Sequence, residues 1–311
     1  MTDNRPTINL TTFISFTLLL FVLLFTASSA RARPVEVTDF SGRRVTLDKP
    51  AQRIIALSPH LVENVFSAGA GGKLVGVVSY SNYPSRAKTI PIVGSYRAYS
   101  LEKIVALHPD LVLTWDNGDG RDSAKPFETL GIPVYVDDPH KLRDVATSVR
   151  DIGILSGTPT KAGAAADRFL QRLATLRTHY QNAEPVSVFY QVWNQPLQTV
   201  NGTHIISAVI HLCGGRNIFA DTPVIAPKIS LEAVLERNPD AIIASGMDKE
   251  RPEWLDQWRD YPQLNAVIND NLYFIPPDFI QRHTFRILKG AEMMCRSLQE
   301  VREKRGRSPE N

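Results

Sequence analysis

One pattern occurs twice in the amino-acid sequence, once in each half of the chain. Residues 100–114 and 230–244 share Ser, Leu, Glu, Pro and Asp at a constant offset of 130 positions. Each copy predicts a helix capped by serine, a Pro-Asp turn and an apolar strand. Convergence on a common helix-turn-strand pattern is the alternative, but five identities at one offset favour a duplicated α/β unit.

Short apolar runs alternate with helical patterns on both sides of the middle of the chain. A hairpin is predicted over residues 35–47. The predicted strands are Ile54–Leu57, Val75–Val78, Leu111–Thr114, Val134–Val136, Val186–Val192, Ala241–Ala244 and Leu272–Ile275. The predicted helices cover residues 61–68, 101–107, 123–130, 142–155, 205–212, 231–236, 254–260 and 285–302. Such alternation is typical of parallel sheets covered by helices.

A long helix is predicted between the two halves. Residues 164–182 contain no Gly or Pro, and an apolar stripe recurs along them at steps of three and four: Ala165, Phe169, Leu173, Leu176 and Tyr180. A helix of this length spans about 28 Å and reaches across two lobes. A surface helix packed on one lobe is the alternative, but its central position in the chain favours bridging.

The predicted fold is therefore α/β, with two Rossmann-like lobes whose parallel sheets are joined by a single long backbone helix. The N-terminal lobe is assigned to residues 33–157, the linking helix to 158–183 and the C-terminal lobe to 184–311. The charged tail over residues 303–311 is expected to be frayed.

The N-terminus predicts an export signal. Residues 13–25 are an almost purely apolar run of 13 residues, shorter than the ~20 needed to span a bilayer. Arg5 precedes this run and small residues follow it up to Ala32, which predicts a cleaved signal peptide over residues 1–32 and a periplasmic protein. An uncleaved membrane anchor is the alternative. Because export leads to an oxidising compartment, Cys213 and Cys295 are expected to pair, with two buried free thiols as the alternative.

Composition and motifs exclude several function classes. Net charge is only +3, from 35 basic and 32 acidic residues, so nucleic acid is not an expected partner. Two cysteines cannot supply a four-thiolate zinc site. The sequence contains no Gly-x-Ser-x-Gly and no His-Glu-x-x-His motif, and its seven histidines lack the short helical spacing of a metal site. We expect no metal site and no cofactor, and a binding role is favoured over catalysis.

Aromatic and charged side chains gather where predicted strands end. In open α/β lobes, ligands bind beyond the carboxyl ends of the strands. Aromatic rings offer flat apolar area, and Tyr and Trp add a polar tip. Core packing is the alternative for any single ring, but the recurrence favours a large, flat, partly polar ligand. The aromatic candidates after predicted strands are Tyr80, Trp115 and Trp193, and Tyr96 is added from the loop before the helix that contains Glu102. The charged candidates after the last strand are Asp278 and Arg282.

These residues resemble those of the periplasmic vitamin B12-binding proteins of cobalamin ABC importers, the BtuF family. The resemblance runs from about Arg53 to Leu298, and both cysteines fall where the family has its disulfide. It implies two rigid lobes with the ligand held between them. The matching stretches are Leu57-Ser-Pro59, Ser79-Tyr-Ser-Asn-Tyr-Pro84, residues 101–112, Leu130-Gly-Ile132, residues 213–219, and Asp278 with Arg282.

The resemblance also implies roles for single residues. The positions that match cobalamin contacts of the family are Tyr80, Tyr96, Trp115, Asp278 and Arg282. Tyr96 replaces a tryptophan of the family, and Trp193 would compensate for a phenylalanine lost near Val192. His60 stands where the family has a small residue. Its imidazole could ligate cobalt, although a hydrogen-bonding role is the simpler expectation.

Glu102 and Glu232 resemble the acidic residues, one per lobe, that dock on arginines of the membrane subunits. Both follow a serine cap by two residues, in the first turn of a predicted helix, where helix-terminus electrostatics alone is the alternative explanation.

The sequence thus predicts a monomeric receptor that captures cobalamin, as transported ligand, or a related corrinoid and delivers it to the membrane subunits of an ABC importer. A ferric-siderophore or haem binding protein on the same fold is the main rival. An exported enzyme and a sensor domain are the others.

Overall fold

The computed structural model describes residues 34–116, 122–246 and 250–307. The predicted signal peptide over residues 1–32 lies outside these ranges. Strands are β1 Val35–Thr38, β2 Arg44–Leu47, β3 Ile54–Ala56, β4 Leu74–Val78, β5 Ile92–Gly94, β6 Leu111–Trp115, β7 Val134–Asp137, β8 Val186–Gln191, β9 Gly215–Asn217, β10 Ala241–Ala244 and β11 Leu272–Phe274.

The α-helices of the described ranges are α1 Pro59–Ser67, α2 Leu101–Ala106, α3 Lys125–Glu128, α4 Leu142–Leu155, α5 Pro159–Tyr180, α6 Ile205–Leu212, α7 Leu231–Arg237, α8 Asn265–Ile268, α9 Pro277–Ile280 and α10 Ile287–Arg307. Short 3-10 helices cover Gly71–Lys73, Ser85–Thr89 and Glu253–Asp260. Within these ranges, no helix is long and apolar enough to cross a membrane.

Each half of the chain builds its own parallel sheet. The N-terminal sheet has the strand order β5-β4-β3-β6-β7, and the C-terminal sheet has the order β11-β10-β8-β9. Neighbouring strands in both sheets run parallel. The hairpin β1-β2 is antiparallel and buries three apolar side chains against the N-terminal lobe: Val37, Val45 and Leu47. The predicted α/β fold with two lobes is confirmed.

Helix α5 joins the two lobes as predicted. Ala162, near its start, belongs to the core of the N-terminal lobe, whereas Phe169 and Leu173 belong to the core of the C-terminal lobe. The helix therefore serves two cores in succession, whereas the predicted stripe, with Phe169 and Leu173 buried, packs on the C-terminal core. Helix α4 does the same in the opposite order, because Leu142 packs in the C-terminal core and Ile152 in the N-terminal one.

Helices α4 and α5 approach each other closely at a glycine. A Cβ atom placed on Gly153 would lie 2.2 Å from the Cβ of Ala162, which is far inside van der Waals contact. Only glycine allows this spacing without separating the helices. Together the two helices form the connection between the lobes.

The predicted disulfide is confirmed. Cys213 at the end of α6 is bonded to Cys295 in α10, and both residues are fully buried in the C-terminal core. The bond fastens the last helix of the chain to the first helix that follows β8.

Several local predictions were wrong in extent. The helix predicted over residues 123–130 is the single turn α3, since Pro126 falls inside it and Gly131 follows with a positive φ of 67°. The three-residue strands β5 and β9 were not predicted, because runs of that length carry too little pattern. The predicted helix over residues 254–260 is a 3-10 helix.

The prediction of a frayed tail over residues 303–311 was wrong for residues 303–307, because α10 continues to Arg307. Lys304 donates hydrogen bonds to the backbone carbonyls of Asn269 and Asp270, and Arg305 donates one to the carbonyl of Pro185. These cations hold the last turns of α10 on the C-terminal lobe, and cations near a helix C-terminus also suit its dipole.

Candidate functional site

The carboxyl ends of the two sheets meet through a cluster of rings. We define the ring cluster as His60, Trp115 and His283. His60 lies in the first turn of α1, shortly after β3, and Trp115 is the last residue of β6, so both belong to the N-terminal lobe. His283 follows β11 and belongs to the C-terminal lobe. Ring centroids are 5.3 Å apart for His60 and Trp115, 5.3 Å for His60 and His283, and 5.7 Å for Trp115 and His283. The predicted edge is thus the place where the lobes touch.

Trp115 lies at the centre of this edge. Its indole contacts the two imidazoles edge-on, and the ring of Tyr96 lies 6.2 Å away between centroids with a tilt of 45°. Tyr96 is 40% exposed, so the aromatic surface opens towards solvent on this side. The indole N–H of Trp115 is buried and has no acceptor among the described residues. A buried donor of this kind is costly unless something accepts from it, which suits a ligand that carries carbonyl groups.

His60 is fixed by a buried hydrogen-bond chain. Its Nδ1 lies 2.7 Å from the hydroxyl of Ser58, and its Nε2 lies 3.0 Å from Oδ2 of Asp137. Ser148 donates to the other oxygen of Asp137. Because both ring nitrogens are engaged, cobalt ligation by His60 would require breaking one of these bonds. The arrangement fits the hydrogen-bonding role.

Two buried imidazoles at this edge are held neutral: that of His283, in the ring cluster, and that of His204 beside it. Burial keeps the pKa of His283 well below that of a free imidazole, and neighbouring imidazoles, His60 first, add to this effect. Burial also lowers the pKa of His204 to about 4, with a smaller contribution from His140. The rings of His204 and His283 lie 6.2 Å apart. Both imidazoles are therefore uncharged at neutral pH.

Four charged side chains connect the lobes beside the rings. We define the inter-lobe ion cluster as Glu63, Asp278, Arg282 and Arg286. Glu63 in α1 accepts from Arg282 at 2.7 Å and from Arg286 at 2.8 and 2.6 Å. Its side chain is only 2% exposed. Two carboxylates face two guanidinium groups, so the cluster is neutral as a whole.

The guanidinium group of Arg282 donates its hydrogen bonds to other residues of the protein. Besides Glu63, it donates to Asn82 at 3.0 Å and to the backbone carbonyl of Tyr80 at 3.1 Å, and it pairs with Asp278 at 3.0 Å. Direct ligand contact by Asp278 and Arg282 remains a prediction. What the structure gives them is a place between the lobes.

The tyrosine loop after β4 presents its rings outward. Tyr80 has a φ of 66°, a left-handed conformation that is unfavourable for a bulky residue, and it is 81% exposed. The bond from Arg282 to its carbonyl helps to hold this conformation. Arg286 covers the ring of Tyr83 at 4.1 Å, which fixes the other end of the loop.

Trp193 stands apart from these residues. It follows β8 in the C-terminal lobe, is 38% exposed, and donates its indole N–H to the carbonyl of Gln195 at 2.9 Å. Because Gln195 belongs to the same loop as Trp193, this hydrogen bond keeps the indole on its own lobe, and the structure does not bring Trp193 into the ring cluster.

Glu102 and Glu232 occupy equivalent places on the two lobes. Both side chains are exposed in the first turn of their helices, α2 and α7. In each helix the preceding serine acts as N-cap, with Ser100 and Ser230 each accepting from a backbone N–H at 3.2 Å. Hydrogen bonds from its own backbone N–H and from Ser230 lower the pKa of Glu232, so its carboxylate is charged at neutral pH.

Topology places both carboxylates near the meeting edge of the lobes. Helices α2 and α7 each lead into a strand of a parallel sheet, so they run opposite to the strands and begin at the strands' carboxyl ends. The ring cluster lies at the same ends. A partner that held both glutamates would therefore sit over the meeting edge of the lobes.

Sequence reasoning missed the residues that connect the lobes. Glu63 and Asn64 interrupt the apolar stretch of α1, and both are buried. Asn64 donates to the carbonyl of His283 at 3.0 Å across the lobes. A charged and an amide side chain inside an apolar helix face was the available signal, because buried polar groups need partners. Arg286, four residues after Arg282 in sequence, was a second signal.

A family model described as periplasmic binding protein matches residues 54–279. The chain belongs to the periplasmic binding protein family.

Relatives of this periplasmic binding protein carry a common description. It is 36% identical over 256 residues to a vitamin B12-binding protein of Vibrio campbellii, covering 82% of this chain and 92% of the relative. It is 36% identical over 255 residues to a vitamin B12-binding protein of Yersinia pestis, covering 81% of this chain and 88% of the relative.

Solved structures give the same fold. The crystal structure of the periplasmic vitamin B12-binding protein BtuF of Vibrio cholerae matches with a TM-score of 0.75 and 35% identity, covering 81% of this chain and 98% of that chain. A periplasmic heme-binding protein of Roseiflexus matches with a TM-score of 0.68 and 20% identity, covering 82% and 99% of the two chains. At that identity the second likeness concerns the fold alone.

Proposed function

We propose that this periplasmic binding protein captures cobalamin or a related corrinoid and delivers it to the membrane subunits of an ABC importer. The observation that carries the proposal is the aromatic surface of Trp115 and Tyr96 at the meeting edge of the lobes, in a chain that is 36% identical to vitamin B12-binding relatives. In this proposal residues 1–32 direct export and are removed, and the protein works in the periplasm. The disulfide between Cys213 and Cys295 supports an oxidising compartment.

The ligand would lie against the rings at the edge. Trp115 and Tyr96 offer apolar faces to the flat macrocycle, and Tyr80 projects from its loop on the same lobe. The indole N–H of Trp115 is buried without an acceptor among the described residues, so it would donate to a peripheral amide carbonyl of the ligand only after the surrounding side chains move. Arg282 would act mainly by holding the carbonyl of Tyr80, because it already donates to three protein acceptors besides Asp278.

A catalytic role is less favoured despite one suggestive geometry. Ser58, His60 and Asp137 are connected in the order of a hydrolase triad. However, the three residues are only 2%, 4% and 0% exposed, so a substrate carbonyl could not reach the Ser58 hydroxyl. The hydrogen bonds from Ser58 through His60 to Asp137 instead connect the segment after β3 to the end of β7. Measurable hydrolysis of a nitrophenyl ester that Ser58→Ala abolishes would contradict this view.

The binding proposal is tested at Trp115. We expect Trp115→Ala to weaken cyanocobalamin binding about tenfold or more, which corresponds to about 1.4 kcal/mol. Trp115→Phe keeps a ring and should lose much less. Isothermal calorimetry on the mature protein measures both. An unchanged affinity of the alanine variant would reject a ligand role for this side chain.

The ligand class is tested with the same instrument. Cyanocobalamin, cobinamide, haemin and a ferric siderophore are titrated in parallel. The proposal expects the corrinoids to bind most tightly. Tighter binding of haemin or the siderophore would replace the corrinoid by that ligand.

The docking proposal is tested by removing the two exposed carboxylates. We expect Glu102→Ala combined with Glu232→Ala to leave cyanocobalamin affinity intact and to impair binding to the reconstituted importer. Glu292, which pairs with Arg172 on the surface at 2.6 Å, provides a control as Glu292→Ala. Full transport by the double variant would remove the docking role.

A further inference from the structure

A small aromatic cavity lies beside Glu232 on the C-terminal lobe. We define the socket as the cavity of about 380 Å³ whose walls include Leu231, Trp254, Trp258 and Tyr261. Leu231 directly precedes Glu232 at the start of α7, so the socket and the carboxylate share one edge of the lobe. Its volume is at the lower end of the range for ligand pockets and suits one or two bulky side chains.

The socket has a rigid floor. Trp258 is buried, donates its indole N–H to Gln191 of β8 at 2.7 Å and contacts the ring of Phe189 at 5.5 Å. Asn194 donates to Gln257 at 3.2 Å across one side. Trp254 and Tyr261 remain only partly buried, so they offer apolar area at the opening.

The lining of the socket, as far as it is described, carries only negative charge. Among the described residues that line it, Asp260 is acidic and none is basic. Glu232 adds a second carboxylate next to Leu231. An apolar hollow with an acidic border matches a partner that presents a bulky apolar side chain next to a basic one, since interfaces combine an apolar centre with a charged rim.

The N-terminal lobe shows a related but different surface. By the offset of 130, Leu101 corresponds to Leu231 and Glu102 to Glu232. Leu101 and Val105 are 39% and 42% exposed beside Glu102. Both carboxylates therefore have apolar neighbours, and on the C-terminal lobe that neighbour, Leu231, lines the socket.

We infer that the socket is a docking site for the importer, and that it receives an apolar side chain that neighbours a basic residue of a membrane subunit. This inference rests on the proposed delivery to an importer and deepens it. The carboxylate would attract the basic group, and the socket would hold the side chain next to it. Aromatic pockets of this kind supply most of the binding energy in many interfaces.

The test measures affinity for the complete importer reconstituted in lipid nanodiscs. We expect Trp254→Ala and, separately, Leu231→Ala to weaken importer binding tenfold or more while cyanocobalamin affinity by calorimetry is unchanged. Trp254→Phe should retain most importer affinity. Ile92→Ala is the matched control, because Ile92 is 57% exposed at the amino end of β5, away from the docking edge.

Each outcome decides between the proposals. If the Glu102 and Glu232 double variant loses importer binding but both socket variants keep it, the socket inference is overturned and docking through the carboxylates stands. If none of these variants loses it, the docking proposal fails as well. A socket variant that loses cyanocobalamin affinity but keeps importer affinity would assign the cavity to ligand binding and overturn the inference. Retained ligand affinity also shows that a variant is folded.

Discussion

Glu63 offers the most direct test of how the two lobes are held together. Its carboxylate lies in the N-terminal lobe, is almost fully buried and accepts three hydrogen bonds from Arg282 and Arg286 of the C-terminal half. We expect Glu63→Ala to leave the inter-lobe ion cluster with two guanidinium groups and one carboxylate. The excess positive charge would then be buried at the meeting edge.

The size of the effect follows from the remaining partners. Removing one member of a buried ion pair costs about 3–5 kcal/mol. Arg282 would keep Asp278, Asn82 and the carbonyl of Tyr80, whereas Arg286 would keep only Asp278 within the cluster, at 3.8 Å. Because Arg282 stays largely satisfied, we expect the lower end, about 3 kcal/mol, for Glu63→Ala. Glu63→Gln keeps an acceptor oxygen and should lose about half as much.

Urea unfolding followed by far-ultraviolet circular dichroism measures these losses. The matched control is Glu292→Ala, which removes an ion pair between α5 and α10 in which Arg172 is 64% and Glu292 33% exposed. Exposed pairs contribute about 1 kcal/mol or less, so the control should change little. A Glu63→Ala protein as stable as the control would refute the view that this carboxylate holds the lobes together.

Three further predictions concern stability. Gly153→Ala should lower the free energy of unfolding by about 1–3 kcal/mol, because the new Cβ meets that of Ala162. Gly163→Ala has open space around its new Cβ and should raise the free energy of unfolding by about 0.5–1 kcal/mol. Equal urea midpoints for the two variants would contradict this prediction. The pKa of His204, about 4, lies below the ordinary 6.5, so its contribution to the free energy of unfolding is complete above pH 6.5 and declines by about 3 kcal/mol as pH falls to 4. His204→Asn keeps a helix-capping side chain and should reduce this dependence of stability on pH in unfolding curves recorded at several pH values. An unchanged pH dependence would exclude His204 as its source. Replacing both cysteines by serine opens a loop with a sequence separation of 82 and should cost about 4–5 kcal/mol, so a variant as stable as the parent would count against the chain-entropy account.

Long, periodic elements were predictable from the sequence. Helix α4 was predicted with its observed bounds, and α5 within three residues at each end, because their apolar positions repeat over several turns. The alternation of strands with helices fixed the parallel sheets, since parallel strands need crossover helices. Short elements such as β5 and β9 were not predicted, because their extended conformation depends on pairing with neighbouring strands.

Part of the site was predictable for the same reason. Trp115 was identified because residues after parallel strands gather at one edge, and Tyr96 because it lies in the loop before the helix of Glu102; the structure places their rings 6.2 Å apart. Trp193 followed the same rule yet faces its own loop, because a strand end fixes the edge and not the direction of a side chain.

The sequence by itself determined the two sheets, the helix between them and the edge at which rings accumulate, because these follow from local periodicity and chain order. Only the tertiary structure decided which polar groups meet across the lobes. Glu63 and Arg282 are separated by 219 positions, and neither residue signals its partner locally. Their contact depends on how two independently formed cores are set against each other, and that is decided by the packing of α4 and α5 rather than by any pattern near the residues themselves.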